Sequence, residues 1–244
     1  MNILLTSGGT RVMIDRVRHI GNMSSGTFGA EIGRQIFLHE KGKTSNLIFL
    51  KAENSKSPFA LTVNWAEQSS YVAHHKLKEL QRLYLENKDH YTELKYKTYV
   101  HYRSMLLSLL QGMQWDVVVL AAAVSDYVVA NYVDGKIRSK DALKIELAPA
   151  EKLISRVKEL NPECHLIGFK LLVDSTPEQL IQAAQESAIK NGCEYVIAND
   201  LSDIQASRHR LSIVTKDGLL KVENTDPNDS TYLAKVVAKL ILER

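Results

Sequence analysis

The sequence predicts a doubly wound, mostly parallel α/β sheet with an antiparallel hairpin at its edge. Three observations carry that prediction. Short apolar runs alternate with stretches of helical periodicity along most of the chain. The run at 116–122, DVVVLAA, is apolar without alternation, as a central parallel strand covered on both faces requires. Near the C-terminus, Lys216-Asp217-Gly218 separates two apolar runs and signals a hairpin turn.

The elements follow in order. Residues 2–6 form an apolar strand ending in Ser7-Gly8-Gly9. A helix is expected only at 24–40, where Phe28, Ile32, Ile36 and Phe37 recur at helical spacing. Ser24 or Ser25 is its natural N-cap and Lys41-Gly42 its natural stop. Residues 46–50 read as a second strand, and 59–65 alternate as a third. Helical patterns at 71–84 and 99–110 flank a charged, poorly patterned bridge at 85–97. The strand at 116–122 comes next. The chain then turns polar after Ala123, an excursion that regains strand character at 143–147. Alternation resumes with a helix at 151–160, a strand at 165–169, a helix at 177–191 and a strand at 195–198. Pro177 suits the first turn of its helix, where its missing N–H costs nothing. Strands at 211–214 and 219–222 form the hairpin, and a helix at 230–242 closes the chain.

With 244 residues, 45% of them hydrophobic, the chain can bury one large core, so a single domain over 1–244 with an excursion at 124–147 is expected. The formal net charge of +3, with acidic residues interspersed among the basic ones, does not point to nucleic acid. Cys164 and Cys193 have neither metal-ligand nor disulfide-framework spacing and read as buried free thiols. The N-terminal apolar run is too short, and lacks the charged flank, for a signal peptide; no run is long enough to span a membrane. These features suggest a cytoplasmic protein.

Ligands of doubly wound sheets bind beyond the carboxyl ends of the strands. Four such ends, at 7–10, 121–126, 168–170 and 198–200, carry small or polar residues; one alone is an ordinary turn, but four along one edge describe a cleft. Gly8-Gly9 is not a dinucleotide fingerprint, because Arg11-Val12-Met13-Ile14 follows instead of a helix. Gly42-Lys43-Thr44 is not a P-loop, because Phe37 stands where the motif's first glycine belongs. What remains is a pair of glycine clusters, at 7–9 and 24–26, with Arg11, Arg16 and Arg18 between them and a helix start after them. Exposed N–H groups and the positive end of the helix dipole favour an anion there. Val12, Ile14, Val17 and Ile20 anchor the intervening segment.

Gly8-Gly9-Thr10-Arg11, Ile14-Asp15, Val17-Arg18, Ile20, Asn22 and Ser24-Ser25-Gly26 resemble the signature of the phosphopantothenate–cysteine ligases. The resemblance continues through Ala121-Ala122-Ala123-Val124, Asp126-Tyr127, Lys136-Ile137, Gly168-Phe169 and Ala198-Asn199-Asp200. It covers most of the chain but is poor over 54–114. It implies a Rossmann-like fold and a ligase of coenzyme A biosynthesis that activates a carboxylate as an acyl-nucleotidylate before an amine displaces the nucleotide. Such chemistry needs positioning and charge neutralisation rather than a covalent nucleophile.

The resemblance implies the roles. Asn22 would hold the acyl-nucleotidylate, and Lys136, on a mobile loop beside Gly135, would neutralise the triphosphate. Ser7, Gly8, Gly9 and Thr10 would receive the nucleotide, Ser24, Ser25 and Gly26 a phosphate, and Phe169 and Asn199 the base. Asp126 would hold magnesium or a ribose hydroxyl, while Arg18, Asn22, Ala121 and Ala122 would touch the substrate. Thr27, Arg138, Ser139 and the run GFKLLVD depart from the bacterial pattern. Bacterial members use CTP and eukaryotic members can use ATP; CTP is the expected choice, with ATP open. Many bacterial members are fused to a flavin-binding decarboxylase. This chain has no room for one, so a stand-alone ligase without flavin is expected, its decarboxylase on another chain. Dimers formed through the 124–147 excursion are implied too.

Three other readings compete with this one. A nicotinamide-dependent oxidoreductase would need the G-x-G-x-x-G turn and an acid after the second strand, where Lys51 stands. A non-catalytic nucleotide-binding protein on the same fold is kept open by Thr27 and Arg138. His74-His75 with Glu79 offers no third metal ligand and reads as a surface group.

Overall fold

The computed structural model describes residues 1–39, 45–61, 70–139, 142–205, 210–224, 229 and 231–243. Six parallel strands form its centre: β1 (Asn2–Ser7), β4 (Asn46–Ala52), β5 (Tyr91–Tyr96), β6 (Val117–Leu120), β9 (His165–Leu172) and β10 (Tyr195–Asp200). The hairpin of β11 (Arg210–Thr215) and β12 (Gly218–Asn224) adds two antiparallel strands, giving the order β12-β11-β10-β9-β6-β1-β4-β5. The chain runs outward from β1 to β4 and β5, then returns to β6 and winds the other way. The point of reversal, between β1 and β6, is where ligands bind in such sheets.

The unalternating apolar runs are explained by burial on both faces. Ile3, Leu5, Val117, Val119, Ile167 and Ile197 point into one core, shared with α1 (Thr27–Leu38) and the C-terminal helix (Tyr232–Leu242). Leu4, Val118, Leu166, Val196 and Ala198 point into the other, shared with α3 (Tyr99–Gly112), α4 (Ser155–Leu160) and α5 (Pro177–Asn191). α5 matches its expected bounds. Thr176 caps it through a reciprocal pair with Gln179, and Gly192 ends it at φ 65°.

Four expectations are corrected. α1 starts at Thr27, with Gly26 in the left-handed region (φ 71°) at the cap position, so neither Ser24 nor Ser25 is its N-cap residue, although Ser25 Oγ accepts from Thr27 N–H at 3.4 Å. The described part of 59–65 is not a strand; Phe59 instead packs its ring on Phe37, Tyr84 and Tyr91. The edge strand is β5, inside the charged bridge, behind α2 (Ser70–Asn87) and a 3₁₀ turn at Lys88–His90. The excursion's ladder pairs β7 (Tyr127–Val129) with β8 (Leu147–Pro149), so its second strand begins where 143–147 was expected to end. The expected helix stop at 41–42, the GKT triplet at 42–44 and the rest of 59–65 lie outside the described residues.

Between β1 and α1 the chain makes a two-stranded ribbon, β2 (Arg11–Met13) against β3 (His19–Gly21), with Arg11 opposite Gly21. This ribbon carries the segment between the glycine clusters over the sheet's carboxyl edge.

Candidate active site

The loop after β1 is held from several sides. Tyr96, fully buried, donates its hydroxyl to the carbonyls of Ser7 (2.9 Å) and Gly8 (3.0 Å). Burial pushes its phenol well above the usual range, so it stays a donor. Gly8 and Ala123 join as well: Ala123 N–H donates to Gly8 at 2.9 Å, and Thr10 N–H to the Ala123 carbonyl at 3.0 Å. The buried Thr10 hydroxyl accepts from Ser125 N–H, and Thr6 from Ala122 N–H. Residues 121–126 are thereby sewn to the β1 loop across the switch point.

The two glycine clusters are joined directly. Ser7 Oγ donates to the Gly26 carbonyl at 3.2 Å. Gly8 (φ 84°) and Gly26 (φ 71°) both close on Ser55, where an added Cβ would lie 2.7 and 2.8 Å from the serine Cβ. Lys56 N–H donates to the Ser25 carbonyl at 2.9 Å. The turn after β4 is thus the floor under both clusters. Asn54 and Ser55 fall in the stretch to which no role was assigned. Their only sequence signal is a polar Glu53-Asn54-Ser55 run ending an apolar strand.

A cavity of about 280 Å³ opens above this floor. Gly9, Arg11, His19, Gly21, Asn22 and Ser24 line one side, and Ala52, Asn54 and Ser55 the other. Gly9 has to be glycine, because a Cβ there would lie 2.4 Å from the Asn22 carbonyl oxygen. Asn22 is held by its backbone, donating N–H to Thr10 at 3.4 Å and accepting from Ser24 N–H at 3.0 Å. Its exposed side-chain amide has no partner among the described residues.

The buried Asp15 carboxylate organises the insert. It accepts from the N–H groups of Val17 (2.7 Å), Arg18 (2.6 Å) and Ile137 (3.1 Å), and pairs with Arg18 Nη1 at 2.9 Å. Burial pushes this carboxyl up, but the three N–H groups and the guanidinium outweigh it and hold it below its usual range. Arg18 Nη1 also reaches the Ile137 carbonyl at 3.2 Å, and Arg16 N–H donates to Gly135 at 2.9 Å. Arg16 pairs with Asp134 at 2.6 Å. Lys136 is therefore exposed between two anchored neighbours and docked on the ribbon. The backbone on both sides of it is hydrogen-bonded.

The remaining residues are spread along the same edge. Asp126, exposed, pairs with Lys152. Among the described residues no three His, Cys, Asp or Glu side chains gather as a metal site, and His75 meets Glu79 at 3.6 Å on the surface of α2. Phe169 is half-buried edge-to-face with Phe28 at 6.2 Å. Asn199 sits half-buried in β10 next to Asp200, whose carboxylate accepts from Ser175 N–H and Oγ and Ser202 N–H. Those donors, Ser175 first, hold Asp200 far below the usual carboxylate range and tie the ends of β9 and β10 together. The cavity thus brings together Gly9, Asn22 and Ser24. Asp126, Lys136, Phe169 and Asn199 are not among its lining residues.

A family model described as the DNA/pantothenate metabolism flavoprotein C-terminal domain matches residues 1–81 and 91–244. The chain belongs to this family. The match is interrupted only at 82–90, around the 3₁₀ turn, so most of the 54–114 stretch, where the resemblance was poor, is matched by the family. Within the family, the coenzyme A biosynthesis bifunctional protein CoaBC of Thermococcus kodakarensis is 32% identical over 215 residues, covering 88% of this chain and 45% of the relative. Phosphopantothenate--cysteine ligase 2 of Oryza sativa subsp. japonica is 26% identical, covering 93% of this chain and 75% of that one. The chain spans about half the length of the CoaBC relatives it matches. The crystal structure of the DNA/pantothenate metabolism flavoprotein from Streptococcus pneumoniae superposes with a TM-score of 0.74 at 28% identity, over 100% of this chain and 97% of that one. A Cab2 mutant in complex with phosphopantothenate-cysteine shares the fold, with a TM-score of 0.80 at 23% identity over 100% of this chain and 85% of that one.

Proposed function

We propose that this domain joins 4'-phosphopantothenate to L-cysteine through an acyl-nucleotidylate, a step of coenzyme A biosynthesis. The observation that carries the reading is the joining of the two glycine clusters into one loop system. That system sets the unpartnered Asn22 amide over a polar cavity and docks the Lys136 segment on the same ribbon. Membership of the family supports it, as do the activities for which the relatives are named.

In the first step a carboxylate oxygen of phosphopantothenate attacks the α-phosphorus of CTP, or of ATP. The bond from that phosphorus to the pyrophosphate oxygen breaks. In the second step the cysteine nitrogen attacks the acyl carbon, the bond to the nucleotide oxygen breaks, and the amine proton is lost to solvent. The backbone at Ser7, Gly8, Gly9 and Thr10 approaches the nucleotide, with Phe169 and Asn199 toward its base. Ser24, Ser25 and Gly26 take a phosphate at the helix start. Asn22 donates its amide to the acyl-nucleotidylate, and Lys136 neutralises the leaving pyrophosphate. Arg18, spent on Asp15, keeps Asn22 and Lys136 in register near the substrate edge formed by Ala121 and Ala122. Magnesium needs only one or two protein carboxylates when phosphates supply the rest, so Asp126 fits as its protein ligand; the ion would withdraw charge from the triphosphate.

The same reading makes the chain a cytoplasmic homodimer whose β7–β8 excursion, with exposed Tyr127, Tyr132 and Leu147, meets a second copy. Among the described residues no helix is long and apolar enough to cross a membrane.

The test is pyrophosphate release from phosphopantothenate, cysteine, magnesium and either CTP or ATP. Release that depends on phosphopantothenate supports the reading, and comparison of the two nucleotides decides the donor. Absence of release with both refutes it and favours a non-catalytic nucleotide-binding role.

A further inference from the structure

The three arginines of the insert have different fates. Arg16 is neutralised by Asp134 and Arg18 by Asp15, whereas Arg11 has no carboxylate partner among the described residues. It is also the one of the three that lines the cavity. Its stem lies across Gly21, its opposite number in the ribbon, where an added Cβ would stand 3.4 Å from Arg11 Cγ. His19, from the other ribbon strand, lines the same cavity, and Asn54 and Ser55 face it from the turn after β4. Among the described residues no carboxylate lines it. A polar cavity of about 280 Å³ with an unpaired guanidinium, an imidazole and an amide, and no compensating acid, suits a phosphoryl anion.

We propose that Arg11, His19 and Asn54 form a phosphoryl-anion subsite beside Asn22, with Arg11 supplying its charge. The subsite rests on the ligase reading only for the origin of the phosphoryl group: the pyrophosphate part of the nucleotide or the phosphate of phosphopantothenate. Both present the same tetrahedral, multiply charged oxygens. Asn22 borders the cavity, so the anion sits next to the acyl-nucleotidylate position rather than at a remote regulatory place. The fixed floor explains why the turn after β4 is tied to both glycine clusters: Ser55, whose hydroxyl (2.8 Å) and N–H (3.0 Å) both donate to the Ala52 carbonyl, closes the turn that delivers Asn54 to the anion.

The test is calorimetric titration of the whole chain with inorganic pyrophosphate and, separately, with phosphopantothenate, for the wild type, Arg11→Gln and Asn54→Ala. Neither titration requires turnover, so failure of the ligase reading leaves this result readable. Asn54 is exposed, so its substitution spares the fold even if Arg11→Gln lowers the melting temperature. Both variants should weaken one of the two ligands at least tenfold. Selective loss of pyrophosphate assigns the subsite to the nucleotide's leaving group; selective loss of phosphopantothenate assigns it to that substrate's phosphate. Unchanged affinity of both ligands in both variants, or no binding of either by the wild type, overturns the proposal.

Discussion

At the scale of single residues, much of the candidate site is held by groups that touch no substrate. Asp15 is the clearest. Its carboxylate gathers three backbone N–H groups and a guanidinium, and so ties the ribbon to the segment bearing Lys136. An amide there keeps the shape but loses the charge and leaves a donor facing donors. Asp15→Asn should therefore melt below the wild type at pH 7. Because the folded carboxyl is held below its usual value, the stabilisation is present above the unfolded pKa of about 3.9 and lost as pH falls through the folded one. The melting gap between variant and wild type should narrow as the pH is lowered below about 4; a gap that widens would contradict this assignment. Little of this was visible beforehand. Asp15 stood inside a motif, but nothing in a linear sequence shows that its partner Ile137 returns from far along the chain.

At the scale of elements, the sites that matter are close approaches of backbone. The sequence announced Gly8-Gly9 and Gly26 but not what each glycine avoids: Ser55 for Gly8 and Gly26, the Asn22 carbonyl for Gly9. Gly9→Ala should fold yet turn over at least tenfold more slowly, because the segment carrying Asn22 must move. The comparison is Gly112→Ala at the end of α3. An added Cβ there meets nothing within 4 Å, so it should leave turnover unchanged and add up to about 1 kcal/mol of helix propensity. Paired melting and turnover measurements decide it; equal turnover of Gly9→Ala and wild type would show that the approach is not needed. The strands of the sheet centre were legible because both faces are buried and their residues are uniformly apolar. β5 was not, because an edge strand in a charged stretch needs apolar residues only where it meets neighbours. Tyr91 reaches the aromatic cluster around Phe37, and Tyr96 lies beneath the glycine loop. The start of α1 was misread for a related reason: a serine before a helix usually caps it, but here the left-handed glycine takes the cap position and leaves both serines outside the helix.

At the scale of the whole molecule, a doubly wound order with its reversal between β1 and β6 explains why residues distant in sequence meet at one edge. It also explains the two cysteines, which lie in the core on the α4–α5 side of the sheet. Burial pushes Cys164 up to about 11 and Cys193 up to about 12. Both thiols should stay unreactive toward a thiol reagent at pH 8 and be released together on unfolding in denaturant; rapid modification of the native protein would contradict that packing. The carboxyl-edge cleft was foreseen from four strand ends with small or polar residues; those of β1, β6 and β10 do lie along one edge, whereas 168–170 falls inside β9, which runs on to Leu172. The missing contribution came from β4, because its turn carries ordinary polar residues with no motif to mark them. The central claim is that the glycine loops, the ribbon and Asn22 form one site for one reaction. Its most direct test is Asn22→Asp in single turnover without and then with cysteine, with nucleotide affinity measured in parallel. The account predicts nucleotide binding within about threefold of the wild type, but acyl-nucleotidylate that forms poorly or accumulates unused, with product formation lost. Product formed at the wild-type rate would contradict it.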